Sequence, residues 1–156
     1  MKIRDIKEDD WAILTAISDQ QLGRGYLGEF EEIAEAGIRV CAEVGGKIVG
    51  YGVTIFDPEC KCGMMRTLVV HSDYEGQGIG SALVEERLKR LNDAGYKWAL
   101  AHAWRSSGGC NAASVLEKHG FEEQCEMLNF YRDHDSVCTT CPGICTCSAV
   151  IYTKSL

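Results

Sequence analysis

The chain has 156 residues, 46% of them hydrophobic and 25% charged, with a net charge of −7. That length suits one domain able to bury most of its apolar surface, and the balance is that of an ordinary soluble globular protein. The acidic excess argues against nonspecific nucleic-acid binding, which needs a basic face, but not against a phosphate-bearing cofactor held by backbone N–H groups. No run of about 18 apolar residues predicts a membrane span. The start, MKIRDIKEDDW, is too charged for a signal peptide, so the cytoplasm is the expected compartment.

Residues 1–6 read as a first strand. Asp9 and Asp10 then open a helix carrying Trp11, Ile13, Leu14 and Ile17, with acids at the end the helix dipole favours. GRGYLG (23–28) reads as a loop, and a short helix is expected around Phe30 to Ala36. IRVCAEV (38–44) and KIVGYGVTIF (47–56) read as a hairpin about Gly45-Gly46. CGMMRTLVV (62–70) is a third strand of this meander. A helix is expected from Ile79 to Ala94, with Arg87 interrupting its apolar stripe and Gly95 ending it. KWALAHAW (97–104) is a strand and NAASVLEKHG (111–120) a helix closed by Gly120. Two last strands, about 122–131 and 146–154, complete the order β-α-α-β-β-β-α-β-α-β-β, a mixed α/β domain spanning 1–156.

VVHSDYEGQGIGSALVEERL (69–88) carries the strongest chemical signal. A strand runs into a glycine-rich turn that opens directly into a helix. Gly76, Gly78 and Gly80 let the backbone approach a ligand closely. The first-turn N–H groups of Ile79, Gly80 and Ser81 have no partner within the helix, and a pyrophosphate would satisfy them at the positive end of the dipole. A plain glycine-rich connection without a ligand is the competing explanation. No Gly-Lys-Ser/Thr follows, so this is not a P-loop. The glycines run G-x-G-x-G rather than G-x-G-x-x-G, which is a poor dinucleotide fingerprint.

The run from Leu68 to Leu83, L-V-V-H-x-x-Y-x-G-Q-G-I-G-x-x-L, resembles the acyl-CoA pyrophosphate loop of the GNAT superfamily of N-acyltransferases. Its place after a meander of strands and the later LEKHGF (116–121) fit the same family. The likeness covers roughly residues 1–131. It implies a central, mostly antiparallel sheet splayed at the cofactor site. It also implies that Glu75, Gly76, Gln77, Gly78, Ile79, Gly80 and Ser81 surround the CoA pyrophosphate, with Asn111 nearby. Leu68, Val69 and Val70 would pair with the pantetheine arm as an added strand. The backbone amide of Leu68 would polarise the thioester carbonyl. Two residues depart from the family pattern: Glu75 replaces the usual Arg or Gln, and Leu116 stands where a general-acid tyrosine is frequent. Gln77 is a candidate replacement donor. Tyr131, Ser114 and Cys110 are candidate acids, and His71, His102 and Glu43 candidate bases. Tyr26 and Phe30 would wall the acceptor site by the same likeness. A structural role is the commoner one for histidines so placed, and simple packing accounts equally well for Tyr26 and Phe30.

SVCTTCPGICTCSAV (136–150) places Cys138, Cys141, Cys145 and Cys147 within ten residues, between the last two strands. Thiols in a reducing compartment read as metal ligands before disulfides. C-T-T-C-P-G resembles a metal knuckle, and the two sulfurs of C-T-C fall on one face of a strand. Four thiolates suit Zn²⁺, and less readily iron or an Fe–S centre. Free thiols, a redox pair or a disulfide are the alternatives, and His134 or Cys125 could replace one ligand. The other five cysteines are scattered, with Cys60 and Cys62 a weak second C-x-C. The family likeness does not account for this segment.

The expected function is therefore acyl-CoA-dependent N-acetylation, with acetyl-CoA as cosubstrate and direct transfer to a primary amine on a small molecule or a protein. No nucleic-acid or membrane partner is expected, and a homodimer is compatible. The alternative is a metal-binding or redox-sensing module on a catalytically idle GNAT-like fold.

Overall fold

The computed structural model describes residues 1–28, 37–133 and 137–156. The helix expected around Phe30 to Ala36, and His134, lie outside the described residues. Strand β1 (Lys2–Asp5) leads through a single 3₁₀ turn, Glu8–Asp10, into helix α1 (Trp11–Gln21). Strands β2 (Ile38–Val44), β3 (Lys47–Asp57) and β4 (Cys62–Val70) form the meander. Gly45 and Gly46 have φ values of 57° and 78°, the left-handed pair that a two-residue hairpin turn demands.

Helix α2 (Ile79–Asp93), strand β5 (Trp98–Arg105), helix α3 (Ala113–Lys118), strand β6 (Glu122–Met127) and strand β7 (Ser148–Ser155) follow. Gly95 and Gly120, both at φ 78°, end the two helices as expected. Three spans differ from expectation. Helix α3 is shorter than 111–120. Strand β6 stops at Met127, because Asn129 takes a left-handed φ of 55° in the turn that follows, and β7 begins at Ser148.

The sheet runs β1-β2-β3-β4-β5-β7-β6. Its neighbours are antiparallel except β4 and β5, which are parallel. Edge strand β6, EEQCEM, is exposed along its length and rich in glutamate, which discourages pairing with another chain.

Helices cover both faces. Leu14 and Ile17 of α1 pack with Ile6, Cys41, Tyr51, Val53 and Val69. Leu83, Val84 and Leu91 of α2 pack on the other face with Val40, Ala42, Ala99, Ala101 and Tyr152. Two register shifts decide which residues face which layer. Val49 is the extra residue opposite the Ala42/Glu43 step, and Arg66 is the extra residue opposite Val53/Thr54. Each bulge inverts the alternation. Val49 therefore joins the α2 layer while Tyr51 joins the α1 layer, and Met65 and Val69 divide in the same way. Among the described residues, no helix is long and apolar enough to cross a membrane.

Candidate active site

The parallel pairing of β4 with β5 covers only Cys62–Met65 against Trp98–Ala101. The bulge residue Arg66 comes next, and a bulge bends its strand. Beyond it β4 stays with β3 to Val70, while β5 stays with β7 to Arg105. The sheet opens between them, and a cavity of about 570 Å³ occupies the opening.

Leu68, Val69 and Val70 line one wall and Ala101 to Trp104 the other. The turn after β4 and the start of α2 line the cavity through Glu75, Gly76, Gly78, Ile79, Gly80 and Ser81, and Asn111 and Lys118 line it too. Helix α2 begins there with no side-chain cap, and its first internal bond runs from the Ala82 amide to the Gly78 carbonyl. The amides of Ile79, Gly80 and Ser81 therefore precede the helix's own ladder, in a form suited to an anion. Gly78 needs its left-handed φ of 80° to enter the helix. Gly80 does not: a Cβ there would meet only Val70 Cγ2, at 3.8 Å. The protein's own packing has no use for that glycine, whereas a ligand backed closely onto the helix would.

Of the residues expected around the pyrophosphate, only Gln77 is turned away. It is exposed, absent from the cavity wall, and its side-chain amide donates to the Asp73 carbonyl at 3.3 Å. Glu75 does line the cavity and is exposed. Two features of this wall have no motif in the sequence. Lys118 brings a cation to the wall, and Ser81 Oγ and His119 Nε2 bond at 2.7 Å, tying the first turn of α2 to the end of α3. Both residues belong to EKHG, whose only evident signal was the end of a helix.

The cavity also meets Gln21 at the end of α1, Leu22 and Tyr26 after it, and Tyr131, Cys138 and Cys145. His102 stands on β5 just past its last pairing with β4, edge-on to Phe130 with ring centres 5.4 Å apart. Burial lowers its pKa below the ordinary imidazole value, which keeps it neutral and able to accept a proton. Burial raises the Tyr131 phenol well above its usual range, so it stays protonated. Tyr26 is raised in the same sense by burial, opposed by a hydrogen bond with Thr67. Leu116 is buried in the wall and donates nothing. Ser114 lines the cavity and Cys110 does not. Phe30 lies outside the described residues.

The remaining base candidates are engaged elsewhere. His71 does not line the cavity; it caps the short 3₁₀ turn after β4, its Nδ1 accepting from the Asp73 amide at 3.2 Å. Glu43 binds Arg4 Nε at 2.9 Å on β2.

The four clustered cysteines all bring their sulfurs within 4.8 Å of one another. Hydrogen bonds from the Thr146 backbone and hydroxyl hold Cys141 down at about 6, while burial pushes Cys145 up to about 12.

A model of the acetyltransferase (GNAT) domain matches residues 35–123. No curated protein sequence matches the chain. Solved structures match along nearly its whole length. The ribosomal-protein-S18-alanine N-acetyltransferase of Escherichia coli is 20% identical, with a TM-score of 0.75 over 99% of this chain and 92% of that one. The ribosomal-protein-alanine N-acetyltransferase of Brucella melitensis is 18% identical, with a TM-score of 0.77 over 100% of both. A Bacillus subtilis acetyltransferase, solved in complex with CoA, is 18% identical, with a TM-score of 0.75 over 99% and 97%. At these identities the likeness to solved structures is one of fold.

Proposed function

The chain belongs to the GNAT acetyltransferase family, and from that premise we propose that it transfers an acetyl group from acetyl-CoA to the primary amine of an acceptor. One observation carries the reading: the uncapped start of α2, the unpaired edge of β4 and the pair His102 and Tyr131 all line one cavity. That combination suits a long cofactor with an anionic end and a reactive end.

The pyrophosphate sits on the amides of residues 76–81, and Lys118 offsets part of the repulsion from Glu75. The pantetheine arm runs beside residues 68–70 as a strand. The Leu68 amide donates to the thioester oxygen as negative charge gathers on it. The acceptor nitrogen attacks the carbonyl carbon, the carbon–sulfur bond breaks, and the amide product forms with no covalent enzyme intermediate. His102 takes the proton the nitrogen loses, directly or through one water, and Tyr131 returns a proton to the CoA thiolate. Tyr131 thereby fills the role that Leu116 cannot.

Gly80→Val tests the assignment of the anionic end. Valine is the better helix former, so the free protein is expected to melt at the same temperature or higher. Its affinity for CoA, read by calorimetry, is expected to fall at least roughly tenfold, since a steric cost of about 1.4 kcal/mol has that effect. Equal CoA affinity in both proteins would put the cofactor elsewhere. Failure of the unmodified protein to bind CoA would remove the enzyme reading and leave the cysteine cluster as the functional centre.

A further inference from the structure

The cysteine segment is the one strong motif that the transfer chemistry does not use. Its four sulfurs converge on one point from a turn (Cys138, Cys141) and from the approach to β7 (Cys145, Cys147). Cys147 Sγ lies 3.9 Å from Cys138 Sγ and 3.7 Å from Cys141 Sγ. A disulfide would need about 2.05 Å. A tetrahedral zinc with Zn–S bonds of about 2.3 Å sets its sulfurs about 3.8 Å apart. An iron–sulfur cluster spreads four thiolates over two or four irons and needs a wider cage than sulfurs all within 4.8 Å provide. Polar neighbours are placed as a second shell: Thr140 Oγ1 is 3.4 Å from Cys138 Sγ and 3.6 Å from Cys147 Sγ, and Thr146 Oγ1 is 3.8 Å from Cys141 Sγ.

The site also has a place in the fold. Cys138 and Cys145 line the same cavity as Tyr26 and Tyr131. The neighbouring Val137 amide donates to the Arg24 carbonyl at 3.1 Å. A Cβ on Gly23, whose φ is 122°, would lie 2.0 Å from the Val137 carbonyl oxygen. The cysteine segment is thus seated, backbone on backbone, on the loop that carries Tyr26.

We propose that Cys138, Cys141, Cys145 and Cys147 bind one Zn²⁺ ion as a closed tetrathiolate site, and that this ion holds the acceptor-end wall of the cavity in shape. Four protein ligands leave no open position, so the ion takes no part in bond-making. Its influence falls on the residues 23–28 loop and on Tyr131. The first half of the proposal stands on the sulfur geometry alone; the second half rests on the acetyltransferase reading.

The test uses the full chain, purified without chelator. Elemental analysis is expected to give one zinc per chain, and Cys141→Ser/Cys147→Ser to give none. Should that double variant not fold, Co²⁺ titration of metal-stripped unmodified protein reads the same site, with the intense absorption of a tetrahedral cobalt thiolate expected at one equivalent. Metal removal is expected to leave CoA affinity unchanged. It should lower kcat/KM for the amine roughly tenfold or more, with recovery on adding Zn²⁺. Iron in place of zinc, with or without acid-labile sulfide, or four reactive thiols and no cobalt spectrum, overturns the zinc site. An unchanged amine kcat/KM in metal-free protein overturns its role in the wall. Loss of CoA binding in both the loaded and stripped forms counts against the acetyltransferase reading and not against the metal.

Discussion

His102 alternates with apolar residues in KWALAHAW, and that pattern by itself suits a structural histidine. Its position past the end of the β4–β5 pairing gives it a cavity to face. Burial has lowered its pKa from 6.5, so protonation, which removes its ability to accept a proton, requires a pH below that value. The acid limb of kcat/KM for the amine is therefore expected to inflect below about 6.5, with His102 active above it. His102→Gln should lose that limb and reduce kcat by about 10²-fold or more. Retention of the same limb in the variant would assign the base to another group. His71 was equally attractive by composition, but the Asp73 amide occupies its Nδ1. Nothing in the order of residues distinguishes the two histidines; a cavity does.

Helix α2 and strand β4 meet around Arg87, which the periodicity presents as a break in an apolar stripe. The side chain is instead 1% exposed. Its Nη1 donates to the Thr67 carbonyl at 2.8 Å and the Val53 carbonyl at 3.3 Å, and its Nε to the Leu83 carbonyl at 3.1 Å. Thr67 and Val53 are the pair beside the Arg66 bulge. Gly52 makes the space, since a Cβ there would lie 2.7 Å from Arg87 Cζ. Burial lowers the guanidinium to about 9, which leaves it cationic at neutral pH. Arg87 thus satisfies carbonyls that the bulge withdraws from the ladder, and the bulge is what parts β4 from β5. Arg87→Met would leave those carbonyls buried and unpaired. A loss of about 2–3 kcal/mol is expected, seen as a melting temperature lower by roughly 4–12 °C. A variant as stable as the parent would show that the bulge does not depend on the arginine.

Across the whole molecule the sheet is two pieces, β1 to β4 and β5 to β7, joined by four parallel residue pairs and by packing on α2. A ligand lying in the opening touches both pieces, so its binding energy adds to the stability of the entire domain. At a concentration of one hundred times Kd, CoA should stabilise by about 2.7 kcal/mol, raising the melting temperature by roughly 5–11 °C. A shift of that size in one cooperative transition is expected by calorimetry. A transition that splits in two, or does not move, would argue that the opening is not the binding site.

Local patterns were enough to determine most of the elements: the strands β2 to β5, the Gly45-Gly46 turn, the spacing of Ile79, Leu83 and Leu91, and the glycines that end α2 and α3. These follow from rules acting over a few residues, and the same range sufficed for the glycine-rich turn and the knuckle-like cysteines. Tertiary structure alone decided three further matters. It buried Arg87, because an unpaired carbonyl is created by strand pairing and not by composition. It set His102, and not His71, on the cavity wall and turned Gln77 back on its own loop, because access to a cavity depends on where two strands separate. It also brought Cys138 and Cys145 to the wall that holds Tyr26. The link between the segment 137–147 and the loop 23–28 spans more than a hundred residues, and the Val137–Arg24 hydrogen bond and the close approach of Gly23 to Val137 record it.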